Sequence, residues 1–368
     1  MTKEQKIEKL FNPKAKDILL SDFLAPKQVR TELAEFLKVS TEKEMLDLLG
    51  VDFYYLPCRD ISQNESCFEY YHGTSLQLNE SVRTCPFGIR WHRKVGVDKF
   101  GVDEAISGPF SDIDVKIEKI LDYNWPSPYS FDFSSLADEC DKYSDKIIIG
   151  GLWSAIQGDS SRMMGFENFL LNIALNKPLV KVLVDRVTEF YLEANRLYFE
   201  AVKGKMDIFF MGNDFGSQNG LLISEEDWID IYYENYKKLI NLAHGYGFKV
   251  MVHSCGSILA LIPYLIEIGV DIIDPVQITS KDMNPETLNS KFGADIVFHG
   301  AIDTQNIIPF GTDEEVEDHC LYLIRNLNKY GNYIVAPSNN FMHGTPCKNI
   351  VAVYNTVKRY KSDFIRIS

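Results

Sequence analysis

Lys249-Val250-Met251-Val252-His253-Ser254-Cys255-Gly256 is an apolar run that ends in a polar cluster and a glycine. Residues 249–252 have strand character. His253 and Cys255 lie two apart, so at a strand end their side chains leave the backbone on the same side. Imidazole and thiolate are both good ligands for Zn²⁺. Either residue alone is as well explained by burial, since cysteine commonly packs inside. The strand end and Gly256 favour half of a metal site at the mouth of a barrel.

The same texture recurs outward from this stretch. Ile147-Ile148-Ile149 ends in Gly150-Gly151, and 207–211 ends in Gly212-Asn213-Asp214. The run 270–273 ends in Asp274-Pro275-Val276-Gln277, and 296–298 ends in His299-Gly300. The last, 333–336, ends in Pro337-Ser338-Asn339-Asn340. Helical patterns lie between them, at 166–175, 179–202, 225–245, 259–268, 313–327 and 348–358. Strand, polar cluster, helix, repeated, is the pattern of parallel βα units. Short, continuous apolar runs suit strands covered on both faces. Polar residues gather at the C-terminal strand ends, where a (β/α)₈ barrel carries its active site. A doubly wound sheet shares this texture, but no Gly-rich nucleotide fingerprint follows the first strand.

The expected fold class is therefore α/β, a (β/α)₈ TIM barrel with an N-terminal α+β extension. Residues 1–145 read as that extension, packing on the barrel. Residues 146–368 read as the main part of the barrel, with the active site. In the extension, helical patterns at 25–37 and 42–49 lead to a short strand, Gly50-Val51-Asp52-Phe53-Tyr54-Tyr55-Leu56. A polar and aromatic region follows, with Cys58, Arg59, Tyr70, Tyr71 and His72. Phe87-Gly88-Ile89-Arg90-Trp91-His92-Arg93 alternates as a strand does. Trp125-Pro126-Ser127-Pro128 marks a boundary.

The chain has 368 residues, 45% hydrophobic and 24% charged, enough to bury a sizeable core. A net charge of −14 argues against nucleic acid as the main partner, because phosphate binding needs clustered Lys and Arg. The first ten residues read as an amphipathic helix start and not as a signal peptide. No apolar run approaches the length of a membrane span. Seven cysteines, odd in number and scattered, do not form a disulfide framework. A cytoplasmic, reduced setting is expected, which leaves Cys255 free to bind metal.

Other strand ends supply further candidates. Gln277 is either an amide that caps a helix or an oxygen ligand facing the same mouth. Asn213-Asp214-Phe215-Gly216-Ser217-Gln218-Asn219-Gly220 is the densest polar loop. Ser224 starts the next helix as its cap, and Asp214 and Gln218 lie too far upstream to share that task. Asp214, Gln218 and Asn213 are expected at the substrate. His299 is an acid–base group, a donor holding another residue, or structural. Asp303 and Asn340, at neighbouring strand ends, are also expected near the substrate. Cys347 at a helix start reads as a packed cysteine. No nucleophile elbow, phosphate-binding loop or His-Glu-x-x-His is found.

Several of these stretches together resemble the uroporphyrinogen decarboxylase superfamily. They are Gly212–Ser224, His253-Ser254-Cys255-Gly256, Gly269-Val270-Asp271 with Pro275-Val276-Gln277, and His343-Gly344-Thr345-Pro346 with Asn349. Leu48-Leu49-Gly50-Val51-Asp52-Phe53 adds a weaker match. The likeness covers roughly residues 147–360 and implies a (β/α)₈ barrel. True decarboxylases of this family carry an Arg-Gln-Ala-Gly-Arg segment that grips porphyrinogen carboxylates. Near 54–59 only Arg59 is basic. The corrinoid-dependent methyltransferase branch instead uses a His-x-Cys zinc site, which His253 and Cys255 match. In its coenzyme M members a Glu and a further Cys complete that site. Gln277 and Asn339 stand at those positions here, which better suits a substrate-demethylating component. The resemblance thus implies His253, Cys255, Gln277 and Asn339 around Zn²⁺, with Asp214 and His299 as catalytic partners. It implies methyl transfer from an O-methyl ether or a methylamine to the cobalt of a corrinoid (cobalamin) carried by a partner protein. Barrels of this family often pair, so a homodimer is an expectation. The alternatives are a metal-independent decarboxylase and a non-catalytic binding homologue.

Overall fold

The computed structural model describes residues 1–15, 17–57, 71–72, 76–77, 81–95 and 101–367. Cys58, Arg59, Cys67 and Tyr70 lie outside the described residues. The strands, in chain order, are β1 (Leu20–Ser21), β2 (Phe53–Tyr55), β3 (Leu76–Gln77), β4 (Val82–Thr84), β5 (Arg90–Val95) and β6 (Gly101–Ser107). They continue with β7 (Ile147–Gly150), β8 (Ile208–Gly212), β9 (Lys249–His253), β10 (Ile272–Val276), β11 (Val297–Ile302) and β12 (Tyr333–Pro337). Eight of them form one sheet in the order β1-β12-β11-β10-β9-β8-β7-β2, and all its pairings are parallel. With helices outside, this is the expected (β/α)₈ barrel. β3 to β6 form a separate antiparallel sheet.

The N-terminal 145 residues therefore do more than pack on the barrel, since they supply β1 and β2. Two bonds close the seam between those strands. Asp52 N–H donates to the Ser21 carbonyl at 2.9 Å, and the Asp52 carboxylate accepts from Ser21 N–H at 2.9 Å. The carboxylate is buried, which raises its pKa, but Lys361 and Lys6 at 2.9 and 2.7 Å outweigh that and hold it below the usual range. Asp207 and Asp271 repeat the device just before β8 and β10. Asp207 accepts from Ile148 N–H at 2.7 Å and from Lys3 at 3.0 Å. Asp271 accepts from Val250 N–H at 2.9 Å and from Lys249 at 2.7 Å.

Strand alternation sets what fills the barrel. Leu20, Phe53, Ile147, Ile208, Met251, Ile272, Val297 and Ile334 pack together inside it. Leu10, at the end of the helix Lys3–Leu10, joins this cluster with Ile7 and Phe11 beside it, so that helix plugs the floor. Period two places Asp22, Tyr55, His253, Asp274 and His299 one layer higher, at the mouth.

Most helices lie where the periodicity predicts them, as at Phe166–Leu175 and Asp313–Leu327. One not foreseen is Ile156–Met164, which contains Gly158, Asp159, Ser160 and Ser161. Those residues are poor helix formers, and tertiary contacts hold the segment instead. Among the described residues, no helix is long and apolar enough to cross a membrane. Cys85, Cys140, Cys255, Cys320 and Cys347 are free thiols.

Candidate metal centre

β9 ends at His253, and the chain then turns through Ser254 and Cys255 to Gly256. That turn lies against the loop after β8. A Cβ on Gly256 would meet the Gly216 carbonyl carbon at 2.5 Å, and Gly256 has φ +86°. Both facts require glycine here. Gly212 is equally constrained, as its Cβ would meet the His253 Cβ at 2.4 Å. Ser254 ties the layers together: its N–H donates to the Asp274 carbonyl at 2.7 Å and its hydroxyl accepts from Phe215 N–H at 3.0 Å.

The close approach brings three donor groups together. Ligand atoms of Asp214, His253 and Cys255 all lie within 4.8 Å of one another. His253 Nε2 is 3.3 Å from Asp214 Oδ1 and 3.5 Å from Cys255 Sγ. Cys255 N–H donates to the same Asp214 oxygen at 2.9 Å. The other imidazole nitrogen, Nδ1, faces Asp274 Oδ2 at 2.6 Å. Asp274 therefore accepts a hydrogen bond from Nδ1–H and turns Nε2 toward Asp214 and Cys255.

Electrostatics follow from these contacts. Burial would lower the His253 pKa, but hydrogen bonds to Asp214 and Asp274 raise it well above its ordinary value. Burial likewise opposes ionisation of Asp214, yet its bond to His253 and the charge of that ring bring it down to about 2. Asp274 is held far below the carboxylate range against its burial, by the charge of His299 and the bond to His253. The donor set, one imidazole, one thiol and one carboxylate, is the chemistry zinc takes. Three protein groups also leave a position for substrate, as catalytic zinc sites do.

The other expected residues fall in varied places. Gln277 Oε1 accepts from Gly256 N–H at 2.8 Å, so its oxygen holds the turn. Asn339 Oδ1 accepts from Asn340 N–H at 2.7 Å, and both residues are exposed. Asn213 is buried, accepting from Gly158 N–H at 2.9 Å and donating to the Tyr236 hydroxyl at 2.7 Å. Gln218 accepts from the Ser280 hydroxyl at 2.8 Å and links two loops. Asp303 caps the following turn through Gln305 and Asn306 N–H at 2.8 and 2.9 Å. His299 is fully buried, with Nδ1 at 2.6 Å from Asp274 and Nε2 at 3.0 Å from Asp22. Both its nitrogens are engaged, so it holds neighbours and does not touch substrate. Burial works against its charge, but Asp274 and Asp22 raise its pKa to about 9.

Asp22, Tyr55 and Asp274 were missed as site residues by sequence reasoning. The available signal was alternation: each lies two residues beyond an interior apolar residue, Leu20, Phe53 and Ile272. A cleft of about 1790 Å³ opens over the donors. Trp153, Asn213, Asp214 and His253 line its inner part, and Arg93 and Asp103 reach it from the antiparallel sheet. The Trp153 ring lies 5.1 Å from the His253 ring and 4.8 Å, edge-on, from Phe210. The site thus has an aromatic wall beside His253.

Residues 97–360 match the model of the uroporphyrinogen decarboxylase family. This chain belongs to that family. No curated protein sequence matches it. Among solved structures it is similar to a methyltransferase from Methanosarcina mazei, with 12% identity and a TM-score of 0.60, covering 95% of this chain and 99% of that one. It is also similar to dihydropteroate synthase from Anaplasma phagocytophilum, with 17% identity and a TM-score of 0.33, covering 48% of this chain and 70% of that one. The first of these supports the barrel fold.

Proposed function

We propose that this member of the uroporphyrinogen decarboxylase family is a zinc-dependent methyltransferase. It moves a methyl group from a small methylated substrate, an O-methyl ether or a methylamine, to the cobalt of a separate corrinoid protein. The observation that carries this reading is the convergence of Asp214, His253 and Cys255 within 4.8 Å, with Asp214 and His253 lining the cleft. These three residues would hold the zinc, with Asp214 in the place that Gln277 and Asn339 were expected to fill. Bound there, zinc supplies a Lewis acid that eases departure of the heteroatom losing its methyl group.

The chain's own residues do the rest. Asp274 accepts a hydrogen bond from His253 Nδ1–H and so presents Nε2 to the cleft. Gln277 holds the turn that carries Cys255. Trp153 offers a flat apolar face to the substrate beside His253. The cleft, about 1790 Å³, has room for a small substrate. Free thiols at the described cysteines suit a reducing, cytoplasmic setting.

Metal analysis of the purified protein, followed by methyl transfer to a Co(I) corrinoid protein, tests this. One zinc per chain is expected, with transfer lost in His253→Ala and Cys255→Ala. Transfer at full rate without zinc, or in either variant, would sink the proposal. A metal-independent decarboxylase is the second reading, favoured by Arg93 and Arg162 in the cleft lining. Release of CO₂ from a carboxylated substrate by the metal-free protein would select it.

A further inference from the structure

We infer that Asp22, just beyond the first barrel strand, is a positioning residue for the metal centre, acting through His299 and Asp274 on the imidazole of His253. The inference deepens the zinc reading above and, for its metal arm, rests on it.

The contacts form one unbroken line across the barrel. The Tyr55 hydroxyl donates to Asp22 Oδ2 at 2.6 Å. The same oxygen is 3.0 Å from His299 Nε2. His299 Nδ1 is 2.6 Å from Asp274 Oδ1, and Asp274 Oδ2 is 2.6 Å from His253 Nδ1. Asp22, Asp274 and His299 are 0 to 1% exposed. A carboxylate only accepts, so each ring nitrogen of His299 that faces one must carry a proton. Each oxygen of Asp274 then receives one imidazole, and the carboxylate plane is fixed by both. Asp274 can hold His253 at one angle only if His299 holds Asp274.

Asp22 is the fixed end of this line. Its own N–H donates to the Val335 carbonyl at 2.9 Å, and its carbonyl accepts from the Tyr354 hydroxyl at 2.7 Å. Its second carboxylate oxygen accepts from Phe23 N–H at 2.7 Å. With the Tyr55 hydroxyl, these make four contacts besides His299 that hold the residue in place. Without that carboxylate His299 has a donor facing nothing, and the ring reorients toward another acceptor. Asp274 then loses one of its two supports. Burying two carboxylates and an imidazolium inside a barrel is costly unless each is paired. Here the pairing leads from strand to strand and ends at the nitrogen that faces Asp214 and Cys255.

The test uses the full chain with Asp22→Asn, which keeps size and removes the charge. Three readouts are expected to move. Zinc affinity, by chelator competition, falls about ten- to a hundredfold. The absorption bands of the cobalt(II)-substituted protein shift. The low-field Nδ1–H proton resonance of His253, assigned by its absence in His253→Gln, moves or broadens. Tyr55→Phe is the milder variant, taking one hydrogen bond from Asp22, and should cost about two- to tenfold in zinc affinity. If both variants melt earlier but keep wild-type zinc affinity, cobalt bands and His253 resonance, Asp22 is merely structural and the inference is overturned. If Asp22→Asn does not fold, Tyr55→Phe decides by the same three readouts. If the wild-type chain binds no zinc, the metal reading fails. The His253 resonance then decides alone: unchanged in the variants, it overturns the inference, and shifted, it upholds it.

Discussion

The two ends of the barrel use the same residue for opposite purposes. At the floor, Asp52, Asp207 and Asp271 each accept a backbone N–H from the neighbouring strand and pair with lysine. At the mouth, Asp22, Asp214 and Asp274 pair with the imidazoles of His299 and His253. A lysine ammonium is a fixed charge with only donors to offer, so it makes a staple. An imidazole has two distinct nitrogens, so a carboxylate on one decides what the other can bind. The floor carboxylates hold strands in register, whereas the mouth carboxylates set the orientation of two imidazole rings. Asp271 also meets the His244 imidazole at 2.9 Å, so the end of the barrel and the partner together, and not the aspartate, separate strand staples from imidazole positioning.

Substitutions at each end should therefore separate cleanly. The largest effect is expected at the floor. Asp52→Ala strands Lys6 and Lys361 and opens the seam between β1 and β2, costing about 3–5 kcal/mol in denaturant titrations. Folded protein should still bind one zinc, and loss of zinc from the folded fraction would break the contrast. At the mouth, Cys255→Ala should lower methyl transfer by about a hundredfold or more. Its metal-free melting temperature should stay near wild type, and a collapse would show that Cys255 also serves as a staple. Zinc at a hundred times its dissociation constant should stabilise the wild-type chain by about 2.7 kcal/mol and leave Cys255→Ala unmoved, as read from thermal melts.

A pH profile sharpens the contrast further. His299 has a pKa of about 9 in the fold against 6.5 ordinarily. A raised pKa means that the proton stabilises the folded state. That contribution is complete below 6.5 and is lost as pH rises through about 9. The gap in melting temperature between wild type and His299→Gln should narrow over that range. An unchanged gap would show that His299 carries no charge. The smallest effect is expected for Lys3→Ala, whose partly buried pair with Asp207 should contribute about 1 kcal/mol or less.

Much of the barrel was legible because each βα unit announces itself locally. Runs such as Val250-Met251-Val252 followed by His253 show both strand and mouth. β1 was not legible, since Leu20–Ser21 is short and is defined by pairing with Ile334 and Val335. The helix Ile156–Met164 was hidden for a similar reason. Its Gly158 N–H is held by Asn213 Oδ1, a contact between residues 55 apart in sequence. At the site, His253, Cys255 and Asp214 stood out as polar residues after apolar strands. Asp22 did not, because nothing within its own stretch shows that His299 lies across the barrel from it. Gln277 and Asn339 were assigned by analogy of position. Whether an amide oxygen faces a cleft or a neighbouring N–H depends on backbone turns that spacing does not encode.

The pairing of β1 with β12 also orders events in time. During synthesis Leu20 and Ser21 leave the ribosome long before Ile334 and Val335 exist to receive them. Lys361, which completes the shell of Asp52, comes later still. The first strand must wait, and contacts this distant in sequence close slowly. Asp22 sits next to that waiting strand, so it reaches His299 only when the ring of strands shuts. The contact of Asp22 with His299 at the mouth thus forms only after residues 334 and 335 have been made.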